Sequence, residues 1–353
     1  MSSDAEFHGF AAMKAGGPMV PFNYKPLPLA DDHVEIQILA CGVCHSDLHQ
    51  INNDWHIGNY PLVPGHEVIG KIVAMGPKAS GVRIGQRVGC GPQIGCCEQC
   101  PSCKSGKENI CAKQQQNYNS RTGDQRQPFT FGGFADRVRC SSKWVFPIPD
   151  GLDTAKAAPL MCAGITTWAP LIRSGAKQGS KVGIIGIGGL GHIAIQFASK
   201  LGCETVAIST SANKKDEAMK LGAQHFLNIT DKQQVMAHNG TCDVLLSTVS
   251  TKSLDLTPYL SLLKREGKLA TVAATTKVEF SSAMLVVGQL TLMGSFLASK
   301  SEIVEMLQFA ADHKIEAMTE ILPMNEQTCN EAMAKIEKNA VRYRMVLVRD
   351  GEN

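Results

Sequence analysis

The chain has 353 residues, 44% of them hydrophobic and 19% charged, with a formal net charge of +3. That length suggests two domains, each able to bury its own core, and the hydrophobic fraction excludes a disordered chain. The charge is dispersed, and the densest basic run, "LKREGK" at residues 263 to 268, is short and interrupted by Glu266, which argues against a nucleic-acid surface. No segment offers the roughly 18 apolar residues of a membrane span, and "MSSDAEFHGF" lacks the basic start and apolar run of a secretory signal. A cytoplasmic location is therefore expected. In that reducing compartment the thirteen cysteines point to metal binding or catalysis rather than to disulfides.

Up to about residue 150 the chain reads as short strands and Gly/Pro turns, among them "HVEIQILACGV", "GKIVAMG" and "GQRVGCGP". This is the pattern of a β-rich, barrel-like domain. Within it "CGVCHSDLHQ" groups Cys44, Ser46, Asp47 and His49, and "VPGHEVIG" sets His66 and Glu67 in a turn between apolar segments. Taken singly, Cys44 reads as a small buried hydrophobe and His66 as a core histidine. Jointly they suit a catalytic zinc, which takes thiolate and imidazole ligands and keeps one position open to polarise a carbonyl. Cys162, in "APLMCAGITT", is the expected third ligand.

Between these lies "GCCEQCPSCKSGKENIC", residues 95 to 111, with five cysteines. Cys97, Cys100 and Cys103 stand three apart and Cys111 follows eight later, so a tight loop and a return segment can present four thiolates tetrahedrally to a structural zinc. Cys96 breaks the spacing and is read as a non-ligand. Chance clustering of reduced thiols and a redox switch are the alternatives.

From about residue 180 strands alternate with helices: "KVGIIG", a helix to about Leu201, "TVAIST", a helix from about Lys214, then "CDVLLSTV", "GKLATVAA" and "LTLMGSF". Such alternation predicts a parallel sheet with helical crossovers. "GIGGLG" places Gly186, Gly188, Gly189, Leu190 and Gly191 where a strand opens into a helix. There the glycines would allow the tight turn, let a pyrophosphate approach the backbone and pack helix on strand. Ser209, Thr210 and Ser211 stand where an NAD-binding fold would carry an acidic residue for the ribose, with Lys214 and Lys215 just after. Hydroxyls and an ammonium group suit the 2′-phosphate of NADP(H); the plainer alternative is a polar turn and helix cap. "KSEIVEMLQFAADHK" spaces Ile303, Met306, Leu307 and Ala310 for an amphipathic helix that returns the chain to the first domain.

Together, the "GHE-x-x-G" motif, the four-cysteine lobe, "GIGGLG" and the discontinuous order resemble the zinc-dependent medium-chain alcohol dehydrogenase superfamily. "GVCHSDLHQINNDWHIGNYPLVPGHEVIG" is especially similar to its cinnamyl alcohol dehydrogenase and broad-range NADP-dependent aldehyde reductase group, and the likeness runs from about residue 8 to 348. The resemblance implies an α/β fold: a Rossmann doubly wound parallel sheet plus a GroES-like β-rich catalytic domain, discontinuous in sequence. The expected bounds are 1–155 for the catalytic domain with its lobe at about 95–112, 156–296 for the dinucleotide domain and 297–353 for the return.

For the site residues the resemblance implies two zinc ions per chain, one catalytic on Cys44, His66 and Cys162 and one structural on Cys97, Cys100, Cys103 and Cys111. Glu67 matches an acidic neighbour that can enter the zinc shell, Asp47 the carboxylate that orients the histidine, Ser46 the hydroxyl at the reacting oxygen, and His49 the outer end of a proton relay. Thr166 matches a residue near the nicotinamide, Ser295 a cofactor contact, and His45 and Arg344 pyrophosphate contacts; a surface ion pair is the alternative for Arg344. Gln116 stands where the plant lignin enzymes carry a bulky aromatic residue, so aromatic and medium aliphatic aldehydes are both expected, in a pocket of Trp55, Trp168 and Leu297; each Trp could equally be core. A homodimer paired through the "LTLMGSF" edge strand is expected too. The alternatives are an NAD-dependent polyol dehydrogenase and a non-catalytic zinc or redox-responsive protein.

Overall fold

Val34, Ile36, Ile38 and Ala40 alternate along the His33–Val43 strand and are all buried, so the period-two pattern sets one face of that strand into a core. The computed structural model describes residues 6–125, 127–273 and 275–349. The outer ends of the expected domains and Ala274, the last residue of "GKLATVAA", lie outside the described residues.

The chain divides into two compact units, one comprising residues up to Cys162 and from Ser299 onward, the other Ala163–Ala298. The divisions therefore fall after Cys162 and Ala298, where the sequence suggested 155 and 296.

In the first unit a seven-stranded sheet runs in the order Thr319–Pro323, Arg344–Val348, His33–Val43, Glu67–Met75, Arg87–Cys90 and Val145–Pro147, with Arg137–Ser141 also paired to His33–Val43. All neighbours are antiparallel except the first two, which are parallel. Register shifts between Glu35 and Ile36 and between Ile38 and Ala40 bend the long strand, as bulges do in barrel-like sheets. Glu35 is buried yet paired: Arg137 donates to it at 2.8 Å and Arg139 at 2.8 and 2.6 Å from the adjacent strand. The Lys300–Asp312 helix carries the expected apolar face, with Ile303, Met306, Leu307 and Ala310 buried, and opens on a Ser299/Glu302 capping box.

The second unit is a six-stranded, wholly parallel sheet in the order His225–Asn228, Glu204–Ser209, Lys181–Ile185, Cys242–Ser247, Leu263–Thr271, Thr291–Gly294. This is the doubly wound order, whose topological switch point lies between Lys181–Ile185 and Cys242–Ser247. Central residues Val182, Ile184, Ile208, Leu245 and Leu246 are fully buried, as a sheet covered on both faces requires. Thr291–Gly294, within the expected "LTLMGSF" strand, is an edge.

Where Glu67–Met75 crosses His33–Val43 the backbones touch closely. A Cβ at Gly70 would run into the Gln37 carbonyl oxygen, and backbone cannot swing aside as a side chain can. Gly70→Ala is expected to destabilise the protein by about 1–3 kcal/mol, read as a lowered denaturant midpoint with an unchanged slope.

Candidate active site and metal centres

Cys44 stands at the end of the His33–Val43 strand and caps the His45–Asn52 helix. Asp47, in the first turn, is fully buried. Its Oδ2 accepts the Cys44 N–H at 2.9 Å, its Oδ1 accepts the Gly65 N–H at 2.9 Å, and Oδ1 lies 3.2 Å from His66 Nδ1. Gly65 has φ 99° and a Cβ there would strike Phe134, so only glycine turns the chain tightly enough to aim His66 inward. Cys162 follows the short helical turn Ala158–Met161. The outcome is that one ligand atom from each of Cys44, His66, Glu67 and Cys162 lies within 4.8 Å of the others.

The electrostatics suit a cation. A hydrogen bond from the Cys162 thiol, reinforced by His66, holds Cys44 well below the ordinary thiol range, and donating that bond raises Cys162. Burial pushes the Glu67 carboxyl up to about 7 against the pull of Arg344. Arg344 is itself buried and ion-paired with Glu67, while Glu67 Oε2 and Arg344 Nε have no hydrogen-bond partner among the described residues. The surface ion pair considered for Arg344 is thus corrected: the pair is internal. With the Cys44 thiol lowered and the Glu67 carboxyl beside it, the buried space favours a cation. Two sulfurs and an imidazole nitrogen are the donor set that zinc favours, so the residues present fit that metal.

The second cysteine group is built from one segment. Sγ–Sγ separations are 3.5 Å for Cys97–Cys111 and Cys100–Cys103, 3.9 Å for Cys100–Cys111 and 4.0 Å for Cys97–Cys103. Backbone N–H groups point at the sulfurs, from Cys100 to Cys97 at 3.4 Å and from Cys97 and Lys113 to Cys111 at 3.5 and 3.3 Å. Such donors stabilise thiolates. All four ligand atoms lie within 4.8 Å of one another, and Cys96 is not in that group.

Around the first centre, Ser46 Oγ lies 3.7 Å from Cys44 Sγ. His49 Nδ1 is 2.7 Å from Asp54 Oδ2, and its ring is 5.3 Å from that of Trp55. Asp54 escaped the sequence reading, although a carboxylate five residues after a histidine at a helix end is a local signal. His45 is exposed and Gln116 half-buried on the Gln115–Gln116 strand. Trp55 is 41% exposed.

In the second unit Gly186 has φ 89°, and the Gly191–Lys200 helix begins after the loop of residues 187 to 190. Lys214 Nζ donates to the Ile187 carbonyl at 2.7 Å, which brings the lysine after Ser209, Thr210 and Ser211 onto the glycine-rich loop. Gly189 and Leu190 are half-buried in that loop, as is Thr166 in the Ala163–Ser174 helix. Ser295 Oγ accepts from Arg173 at 3.0 Å. Trp168 is 5% exposed and edge-on to Phe197 at 5.3 Å, so the structure places it as core of this unit; Leu297 is also buried.

Family models for the alcohol dehydrogenase GroES-like domain and for zinc-binding dehydrogenase match residues 30–150 and 189–312. Aldehyde reductase AdhA of Synechocystis is 40% identical over 339 residues, covering 96% of this chain and 97% of that protein. Mannitol dehydrogenase of Petroselinum crispum is 42% identical over 330 residues, 93% of this chain and 96% of its own. The cinnamyl alcohol dehydrogenase SbCAD4 of Sorghum bicolor superposes with a TM-score of 0.93 at 36% identity, covering 99% of both chains. The Helicobacter pylori CAD complexed with NADP(H) gives 0.90 at 28% identity and the same coverage.

Two glycines of the loop should behave differently. A Cβ at Gly191 would collide with the Gly186 carbonyl, whereas one at Gly188 meets nothing within 4 Å among the described residues. Gly191→Ala is expected to lose about 1–3 kcal/mol of stability. Gly188→Ala is expected to melt like the parent protein and to weaken only dinucleotide binding, measured by fluorescence titration.

Proposed function

Because the chain belongs to the zinc-dependent medium-chain alcohol dehydrogenase superfamily, in its cinnamyl alcohol dehydrogenase group, we propose that it is an NADP-dependent alcohol dehydrogenase working chiefly as an aldehyde reductase, on cinnamyl- and benzyl-type and medium aliphatic aldehydes. Its general activity is that of an alcohol/aldehyde oxidoreductase. The convergence of Cys44, His66 and Cys162, with Glu67 behind them, carries the reading.

In this reading those three residues hold a catalytic zinc and Cys97, Cys100, Cys103 and Cys111 a structural one. When bound, zinc supplies a Lewis acid for the substrate oxygen, and the nicotinamide supplies the hydride. The chain's own residues do the rest. Asp47 fixes the His66 ring with Nε2 turned to the ligands. The Ser46 hydroxyl gives a proton to the substrate oxygen as charge develops there, and His49, held by Asp54, restores protons from solvent. Glu67 and Arg344 form a buried pair behind the ligands. His45 and Thr166 belong to the cofactor side.

The preference for NADP(H) is supported by Ser209, Thr210, Ser211 and Lys214, which offer hydroxyls and an ammonium group with no carboxylate to repel a 2′-phosphate. A NAD-dependent polyol dehydrogenase is the second reading, favoured by the likeness to a mannitol dehydrogenase and by polar Gln116. The thiolate sets need a reducing compartment, so the reading includes a cytoplasmic location. It also includes a homodimer through the Thr291–Gly294 edge, beside which Val286, Val287 and Phe296 are exposed; sedimentation showing only monomer would refute that part.

Initial rates with NADPH and NADH against cinnamaldehyde, benzaldehyde, hexanal and fructose test the proposal. Fast aldehyde reduction with NADPH is expected, and a preference for NADH with fructose overturns the cofactor and substrate reading. Cys44→Ser should lose one zinc and all activity, whereas Cys97→Ser should lose the other zinc together with thermal stability, as metal analysis and melting curves would show. His49→Gln should slow turnover by roughly 100-fold at unchanged zinc content, with Asp54→Asn intermediate.

A further inference from the structure

Seven residues beyond Cys111, the chain is pinned on both sides of one tyrosine. Asn117 N–H donates to the Pro92 carbonyl at 2.7 Å and Asn119 N–H to the Thr130 carbonyl at 2.9 Å. Tyr118 between them is only 3% exposed. Its ring lies 5.7 Å from the His66 imidazole at an interplanar angle of 30°, and its hydroxyl oxygen is 3.3 Å from His66 Nδ1. Asp47 Oδ1 is 3.2 Å from the same nitrogen.

The three groups have complementary needs. With Nε2 turned to Cys44 and Cys162, Nδ1 carries the imidazole proton and must donate it. Asp47 is a buried carboxylate whose two backbone donors, Cys44 and Gly65, leave lone pairs to fill. A phenol can do both tasks at once, donating its proton to the carboxylate and offering an oxygen lone pair to the Nδ1–H.

We propose that Tyr118 is a positioning residue for His66: its hydroxyl, shared between His66 Nδ1 and the Asp47 carboxylate, fixes the rotation and tautomer of the imidazole that faces Cys44 and Cys162. The inference rests on the reading of Cys44, His66 and Cys162 as zinc ligands. It adds a third element to the Asp47–His66 contact, one delivered by the segment that leaves the cysteine lobe.

The test is Tyr118→Phe in the full chain, which keeps the ring against His66 and removes only the hydroxyl. Zinc is titrated away with a competing chelator, zinc per chain is counted through the titration, and cinnamaldehyde reduction is followed in parallel. The parent protein should hold two zinc ions. In Tyr118→Phe one should leave about 10–100-fold more readily, the range for loss of a partner of a metal-bound histidine, while the other is held as before. In zinc-replete buffer kcat should fall with little change in KM. Equal zinc retention and equal kcat overturn the role of Tyr118 alone. Weakening of both zinc ions together makes the residue a packing element and overturns it too. A parent protein that binds fewer than two zinc ions removes the ligand reading itself, and the tyrosine proposal with it.

Discussion

The site depends on a carboxylate with no exposure to water. Asp47 joins two stretches that are apart in sequence, taking the Cys44 N–H on one oxygen and, eighteen residues away, the Gly65 N–H on the other. Burying a charge without donors is prohibitive; burying it with two backbone donors and an imidazole beside it turns the cost into a constraint, because each donor must stay where it is. The helix start that holds Cys44 and the glycine turn that aims His66 are therefore one rigid piece. Ser46 and His49 ride on the helix anchored there.

The two sulfur-rich centres solve the same electrostatic problem in different ways. The lobe draws all its sulfurs from residues 97 to 111 and steadies them with backbone N–H groups, so it is a local structure that any nearby loop can tolerate. The other centre gathers Cys44, His66, Glu67 and Cys162 from three separate segments of the first unit and balances their charge partly through Arg344. Its geometry is a property of the whole sheet, and a displacement in any strand reaches it.

What was legible in the sequence was what is short-ranged. The apolar residues of Lys300–Asp312 lie on one helical face because their spacing dictates it. The glycine-rich loop and the cysteine lobe are likewise written in local spacing. Arg344 was not legible in the same way, since its partner is 277 residues away. Tyr118 reaches His66 across 52 residues and only because strand pairing carries it there. Asp54 was closer, yet its return to His49 depends on Asn53 adopting φ 60°, a turn that composition does not announce. Trp168 shows a different limit: an aromatic side chain in sequence does not declare whether it fills a core or lines a pocket.

The order of the chain also has a temporal meaning. Residues 163 to 298 form a unit whose sheet draws only on its own strands, so it can fold while the rest of the polypeptide is still being synthesised. The first unit cannot. Its central His33–Val43 strand is flanked by Arg344–Val348, which is made only after the whole of residues 163 to 298, and Arg344 at the head of that strand is the partner of Glu67. Nascent chains thus carry an open edge on that sheet until residues 344 to 348 emerge, and the newborn protein's most vulnerable interval is set by the length of chain between two strands that end up side by side.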